Sequence, residues 1–275
     1  MRYRNIIRLA LEEDIGSGDI TTDFLDLAKK DIPAFMIAKE NGILCGLEIS
    51  FEVFKMIDKN IKCIGYKKDG DSLKPGDIFA KIEGYSNHIL MGERVALNFI
   101  QRMSGIATMT HQFVEKIKPY SAKLLDTRKT TPLLRDLDKY SVRIGGGFNH
   151  RFGLYDMILI KENHIRAAGS IAKAVKAVKS HNTSYKIEVE VTNHTELAEA
   201  VLSGVDRVML DNMSLKNIRE AVQNFGTSVE LEVSGNVNIH TINEYAATGV
   251  DFISCGALTH SFKSLDISLL FSEGL

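Results

Sequence analysis

The chain has 275 residues, of which 44% are hydrophobic and 25% charged, and its formal net charge is -1. That length holds one barrel-sized domain or a barrel with a small companion, and the charge gives no bulk attraction to nucleic acid or to a membrane surface. Cys45, Cys63 and Cys255 are scattered without CxxC or Cys/His spacing, against a disulfide framework or a structural zinc site. No apolar run approaches the roughly 20 residues of a membrane span. The opening MRYRNIIRLALEED turns acidic too soon for a signal peptide, so a cytoplasmic, reducing setting is expected.

Residues 4–13 place Ile6, Ile7, Ala10 and Leu11 on a helical stripe that Gly16 and Gly18 stop. GDITTD (Gly18 to Asp23) reads as a turn rich in capping residues. Short strands follow: FMIAKE, GILCG, IKCIGYK and IFAKIEG, with helical residues 47 to 58 between them. GDSLKPGD (Gly70 to Asp77) reads as a turn between two antiparallel strands. Residues 87 to 118 are helical, with Met91, Val95, Phe99, Ile100 and Met103 near one face and a break expected at Ser104-Gly105. Arg94 lies off that stripe beside Glu93, where it reads as a solvated helix arginine.

From Lys123 the pattern is regular. KLLD, MILI, KIEVEV, RVML, VELEV and DFISCG alternate with helical segments. Ser170 and Ser214 stand at helix starts. Gly204, Gly226 and Gly249 stand just past helix ends, where a left-handed cap is wanted. The repeated βα unit predicts a parallel sheet and, at this count, a barrel.

The stretch from Asp126 to His164 gathers Arg128, Lys129, Arg135, Arg143, His150, Arg151, Lys161 and His164 around three glycines and an apolar run, Met157 to Ile160. It reads as a pocket wall for a small, multiply anionic ligand. In a βα barrel the chemistry sits at the C-terminal strand ends. Those ends carry cations (Arg128, Lys129, Arg151, Lys161), a carboxylate pair on adjacent strands (Glu190, Asp211) and two small-residue turns. The turns, Ser234-Gly235-Asn236 and Cys255-Gly256-Ala257, let backbone N–H groups approach a phosphate. The carboxylates read either as interior charges paired with lysines or as groups for Mg²⁺ and ribose hydroxyls. His150 is the best pocket histidine, and no histidine set forms a metal site.

DTRKTTP, GGGFNHRFGLYDMILIKENHI, EVEVTN, LDN, GALTHS and ERVALNFIQRMSGIAT together resemble the quinolinate phosphoribosyltransferase family, also called carboxylating nicotinate-nucleotide pyrophosphorylases, over essentially the whole chain. The resemblance implies an α/β fold: an incomplete α/β barrel at 109–259, and an N-terminal α+β open sandwich at 1–108 completed by 260–275. It implies a homodimer or a hexamer of dimers with shared active sites, in which Arg94 is donated to the neighbouring subunit. By position, Arg128, His150, Arg151 and Lys161 would line a pyridine dicarboxylate pocket, Thr127 would also bind substrate, and Lys129 would face pyrophosphate. Glu190 and Asp211 would serve ribose and Mg²⁺. Ser234, Gly235, Asn236, Cys255, Gly256, Ala257 and His260 would hold the 5-phosphate. Lys129, Lys161, Glu190 and Asp211 would carry the catalysis. Leu133 departs from a common glycine and Phe148 from a common histidine.

The implied reaction joins quinolinate to phosphoribosyl pyrophosphate, giving nicotinate mononucleotide, pyrophosphate and CO₂ for NAD synthesis, with Mg²⁺ and no organic cofactor. Three other readings stay open. One is a relative acting on another anionic heterocycle. A second is a Schiff-base lyase or aldolase with Lys161 as nucleophile. The third is a non-catalytic sensor of phosphate ligands.

Overall fold

The computed structural model describes residues 2–25, 32–182 and 184–272. The chain begins with α1 (Arg2–Ile15), α2 (Ile20–Phe24), β1 (Ala34–Ala38), β2 (Gly42–Ile43), α3 (Leu47–Ile57), β3 (Lys62–Gly65), β4 (Ser72–Leu73) and β5 (Ile78–Glu83). Then come α4 (Ser86–Ile117), β6 (Lys123–Leu125), α5 (Arg135–Ile144), β7 (Ile158–Ile160), α6 (Glu162–Ala168), α7 (Ile171–Lys179), β8 (Ile187–Val191) and α8 (His194–Leu202). The rest is β9 (Arg207–Asp211), α9 (Leu215–Phe225), β10 (Glu230–Ser234), α10 (Ile242–Ala246), β11 (Phe252–Ser254), α11 (Ala257–His260) and β12 (Ile267–Phe271). The chain divides into two compact units, residues 1–111, 131–146 and 262–275 in one and residues 112–130 and 147–261 in the other.

The first unit is built on an antiparallel sheet of order β12-β1-β5-β3. β1 pairs with β12 on one side, Met36 opposite Leu269, and with β5 on the other, Met36 opposite Ala80. Its core is apolar: Met36, Phe54, Phe79, Ile82 and Met103 are fully buried. GDITTD contributes a short helix, α2, because the Asp19 carboxylate accepts the N–H groups of Thr21 and Thr22. The GDSLKPGD stretch holds more than a turn. Its Ser72 and Leu73 form β4 and pair with β2, between positive-φ bends at Gly70 and Gly76.

The expected break in the long helix is absent. α4 runs unbroken for 32 residues. Ser104 and Gly105 are instead where other segments touch it. Ser104 Oγ accepts the Cys45 N–H at 2.9 Å, and a Cβ on Gly105 would collide with the Lys263 carbonyl oxygen. Gly105 therefore serves close backbone approach and leaves the i to i−4 ladder intact.

The second unit is a six-stranded parallel sheet of order β6-β11-β10-β9-β8-β7, the α/β framework of an incomplete barrel. Phe148 extends it by one bridge to Leu125. The KLLD to DFISCG runs supply these six strands. Ser170, Asn193 and Ser214 cap α7, α8 and α9 by accepting a backbone N–H three residues on. Gly204 and Gly249 are left-handed as expected; Gly226 stays right-handed at φ -63° and simply ends α9.

The strands alternate. Val189, Val191, Val208, Leu210, Leu231 and Val233 are buried, with α8 packed against β8 and β9. The opposite set of side chains is Glu188 and Glu190 on β8, Arg207, Met209 and Asp211 on β9, and Glu230, Glu232 and Ser234 on β10. Register places Glu188 opposite Arg207, Glu232 opposite Met209 and Ser234 opposite Asp211.

Candidate active site

A cavity of about 690 Å³ opens at the C-terminal strand ends of the second unit. Its cations are Arg128 and Lys129 after β6, Arg151 from the loop that precedes β7, and Lys161 after β7. Its carboxylates are Glu190 and Asp211. Lys161 Nζ contacts Glu190 Oε2, so the cation and a carboxylate meet on adjacent strands. Thr127 lines the cavity and accepts the Lys129 N–H at 3.0 Å, which fixes the start of the Lys129 turn. A slightly larger cavity, about 770 Å³, lies in the first unit beside α1, with two arginines, Arg4 and Arg8, over Met56, Ile57 and Met91. It lacks that constellation.

Asp126 organises the cationic wall. Its fully buried carboxylate accepts the His150 N–H at 2.9 Å and the Asn149 side-chain amide, tying the loop at 149–150 to the end of β6. Asp156 holds the next turn by accepting the N–H groups of Phe152 and Gly153. Arg151 Nη1 donates to the Met157 carbonyl. Burial, and then the nearby Arg128 guanidinium, press the Arg151 pKa downward. A guanidinium whose charge is disfavoured by a neighbouring one marks a site that wants anions.

His150 lines the cavity, but its ring nitrogens face the protein. Nδ1 accepts the Arg151 N–H at 2.8 Å. Nε2 lies 3.0 Å from Glu188 Oε2 and 3.5 Å from Glu232 Oε1. Burial raises the Glu188 carboxyl to about 7, with Arg207 opposing the shift. Burial and the neighbouring Glu188 raise Glu232 to about 7. Arg207 in turn bonds Glu232 and Glu230 and stacks on the Phe252 ring. These three groups, His150, Glu188 and Glu232, also lie close enough together to hold a metal ion.

The two small-residue turns differ. Ser234, Gly235 and Asn236 all line the cavity, with Gly235 at φ 99° and Asn236 at φ 53°. In the second turn Gly256 lines it, and the Cys255 thiol is buried against the Val237 carbonyl. A Cβ on Gly256 would meet the Lys129 side chain at 2.9 Å and His260 Nε2 at 3.1 Å, so glycine lets the Lys129 stem pass. The Thr259 hydroxyl bonds the Lys129 carbonyl from α11.

Family models match nearly the whole chain: the quinolinate phosphoribosyl transferase C-terminal domain over residues 106–270 and the N-terminal domain over residues 19–104. The chain is 45% identical over 270 residues to the probable nicotinate-nucleotide pyrophosphorylase [carboxylating] of Bacillus subtilis, covering 98% of this chain and 93% of the relative. The chain belongs to the quinolinate phosphoribosyltransferase family. The chloroplastic nicotinate-nucleotide pyrophosphorylase [carboxylating] of Arabidopsis thaliana is 44% identical over 284 residues, 96% of this chain and 81% of that one. The solved nicotinate-nucleotide pyrophosphorylase of Francisella tularensis superposes with a TM-score of 0.96 at 46% identity, covering 98% of this chain and 96% of that one.

In this quinolinate phosphoribosyltransferase-family chain, the charge-rich stretch parts company with itself. Arg128, Lys129, His150, Arg151 and Lys161 reach the cavity. Arg135 and Arg143 ride on α5 in the first unit, Arg143 over the Tyr140 ring, and His164 Nδ1 accepts the Lys161 N–H at the start of α6. Arg94 is exposed on α4 in the first unit. Ala257 and His260 sit on α11, outside the lining. Sequence reasoning missed Leu159, Met209, Asn212 and Ser254 in the lining, and Glu188, Glu232 and Arg207 beside it. The period-two spacing of Glu188 with Glu190, and of Glu230 with Glu232, was the available signal. Among the described residues no helix is long and apolar enough to cross a membrane.

Proposed function

We propose that this protein transfers the phosphoribosyl group of phosphoribosyl pyrophosphate to quinolinate with loss of CO₂, giving nicotinate mononucleotide. The observation that carries the reading is the pair of neighbouring guanidiniums, Arg128 and Arg151, in one cavity with Lys129, Lys161, Glu190 and Asp211. Quinolinate is a planar dicarboxylate, and planar forks meet two carboxylates better than point charges do.

The chain's own groups account for most of the chemistry. Arg128 and Arg151 orient the acid so that its ring nitrogen faces the anomeric carbon. Lys129 meets the pyrophosphate, and the turn at 234–236 meets the 5-phosphate. The nitrogen lone pair forms the C–N bond as the C–O bond to pyrophosphate breaks. Glu190 and Asp211 stabilise the positive charge that develops on the ribose. The ring nitrogen is then cationic, and it accepts the electron pair left when the neighbouring carboxylate departs as CO₂. A proton completes the ring carbon. Glu190 and Asp211 are hard oxygen donors on adjacent strands, which suits Mg²⁺ held partly through water. Because Glu190 already faces Lys161, Asp211 is the carboxylate better placed to hold it. When bound, Mg²⁺ would neutralise phosphate charge.

A Schiff-base lysine needs an amine made neutral by an apolar pocket or by neighbouring cations. Lys161 faces a carboxylate, and its side chain is 45% exposed, which favours an ion-binding role over that alternative. Arg94, on the first unit, is assigned to the site of a second copy in a homodimer. Mixing an Arg94→Ala chain with a Lys161→Ala chain should then restore activity through the one site free of both changes; mixed dimers as dead as either parent would remove Arg94 from the site.

The test of the reaction is incubation with quinolinate, phosphoribosyl pyrophosphate and Mg²⁺, following nicotinate mononucleotide and labelled CO₂. Stoichiometric release of both is expected. Nicotinate should be used roughly 10² to 10³-fold less efficiently, since it leaves one guanidinium without a carboxylate partner beneath the bound ligand, at a cost of about 2–5 kcal/mol. Comparable use of nicotinate would overturn the assignment of the arginines.

A further inference from the structure

Asn212 is the residue next to Asp211, and its conformation is unusual. Its φ is +53°, in the left-handed region that asparagine tolerates better than most side chains. The same region is occupied at φ +53° by Asn236 on the neighbouring strand end, with Gly235 at φ +99° between that residue and β10. The two strand ends are joined at the backbone, where the Asn212 N–H donates to the Ser234 carbonyl at 2.9 Å.

The side chain adds a second link. Asn212 Nδ2 donates to Asp211 Oδ2 at 2.9 Å, and Asn212 Oδ1 accepts from Asn236 Nδ2 at 3.3 Å. Only one orientation of the amide serves both partners: a carboxylate needs the NH₂ end, and the Asn236 NH₂ needs the oxygen. The amide lies directly over the turn, since a Cβ on Gly235 would collide with Asn212 Oδ1. Glycine at 235 is therefore required twice, by its own φ and by the packed Asn212 amide. Asn236 is held in turn, its carbonyl accepting from Asn238 Nδ2 at 3.3 Å.

We propose that Asn212 is a positioning residue that couples Asp211 to the 234–236 turn, setting the ribose and 5-phosphate sites of the phosphoribosyl donor as one unit. The inference rests on the reading that Asp211 serves the ribose and the turn serves the 5-phosphate. Asn212 acts through both neighbours. Its amide aims the Asp211 carboxylate and keeps the turn open. The acid pocket at Arg128 and Arg151 is independent of it. The side chain therefore tunes use of the donor and leaves quinolinate binding alone.

The variant that removes the side chain is Asn212→Gly, which keeps the left-handed backbone accessible and deletes the amide with its methylene. The KM for phosphoribosyl pyrophosphate should rise about tenfold, the change expected on losing a hydrogen bond to a charged group. The dissociation constant for quinolinate, measured by calorimetry, should stay within about twofold of the parent. Asn212→Asp keeps size and backbone tolerance but sets a carboxylate against Asp211, so it should raise that KM further than glycine does. Asn212→Gly and Asn236→Gly should be non-additive, the double variant close to the worse single one, because both cut the same link. An active parent whose Asn212→Gly variant keeps its donor KM overturns the positioning role and leaves the function standing. So does an equal loss for donor and quinolinate, or a lowered melting temperature with unchanged KM. A parent protein that makes no mononucleotide overturns the function itself, and the proposal with it.

Discussion

The two units are filled differently. In the first, the sheet β12-β1-β5-β3 buries sulfur, aromatic and branched side chains, with Met36, Phe54 and Phe79 shut off from solvent. In the second, one side of the parallel sheet is as apolar as that, but the other side carries Glu188, Glu232 and Arg207 beside a buried His150. Parallel strands covered on both faces ordinarily read as continuous apolar runs, and barrel interiors are mostly branched aliphatics. Departure from that rule marks where the fold gives up packing for charge. The first unit is held by burial, and its parts are interchangeable with other apolar parts of the same volume. The second holds its charges by pairing them, so each one has an identity that volume cannot replace.

The contrast is broken most severely at Lys161. Lys161→Ala should lower turnover at least about 10³-fold, since it removes a cation from a site for several anions and leaves Glu190 unpaired. Its side chain is 45% exposed, so circular dichroism and the melting temperature should stay near those of the parent. Activity within about tenfold of the parent would make Lys161 structural.

Phe54→Ala should do the reverse. Phe54 lies on α3 and is fully buried in the core, and it touches the position a Cβ on Gly92 would take. Truncation should cost about 3–5 kcal/mol of stability through lost transfer energy and a residual cavity. The protein that remains folded should bind quinolinate as before. A denaturant midpoint unchanged by the substitution would show that this core is loosely packed.

Elements were legible in the sequence wherever periodicity and packing agree. The six strands from β6 to β11 are short, β-rich and separated by capped helices, so their order along the chain was readable. What periodicity could not give was a glycine's reason. Gly105 reads as a helix break, yet it makes room for the Lys263 carbonyl, a contact with a residue more than 150 positions away. The site was legible at the residues that stand at strand ends and inside long motifs, such as Arg128, Lys161 and Asp211. Glu188 and Glu232 stayed hidden because in one dimension they look like the solvated half of an alternating strand. Only the folded structure, in which both are fully buried, shows otherwise.

Their burial gives a pH test. In the fold, Glu232 keeps its proton up to about pH 7; the ordinary value is 4.5. Between those limits the folded chain binds more protons than the unfolded one, so stability falls as pH rises through the window and the contribution is gone above it. Glu188, also at about 7, acts in the same direction. Glu232→Gln cannot lose a proton, and it should show a flatter fall between pH 5 and 8, by on the order of 1–3 kcal/mol. The Gln variant also weakens the Arg207 pair, which offsets its stability at every pH, so the slope is the readout. Parallel curves for parent and variant would mean that Glu232 stays ionised, balanced by Arg207 and His150.

The smallest effect sits at Leu133, a non-glycine residue in a left-handed conformation. Leu133 has φ +66° and is 80% exposed. The surrounding turn imposes that conformation. Leu134 N–H bonds the Thr131 carbonyl at 3.1 Å, Arg102 Nη2 bonds Thr131 Oγ1 at 2.8 Å, and Thr131 N–H bonds the buried Asp138 carboxylate at 3.2 Å. A leucine held left-handed costs about 1–2 kcal/mol in strain, and no buried contact of its own repays that. Glycine would relieve the strain but make the unfolded chain more flexible, by roughly 0.5–1 kcal/mol. Leu133→Gly should therefore stabilise the protein by a few tenths to about 1 kcal/mol. Leu133→Asn, which tolerates the same φ with less added flexibility, should match or exceed it, and β-branched Leu133→Val should destabilise. Thermal melts of the three variants decide the matter, since the strain account requires the order Asn and Gly above Leu, and Val below. Val melting with Gly would show that the turn relaxes around residue 133 and that the positive φ carries no strain.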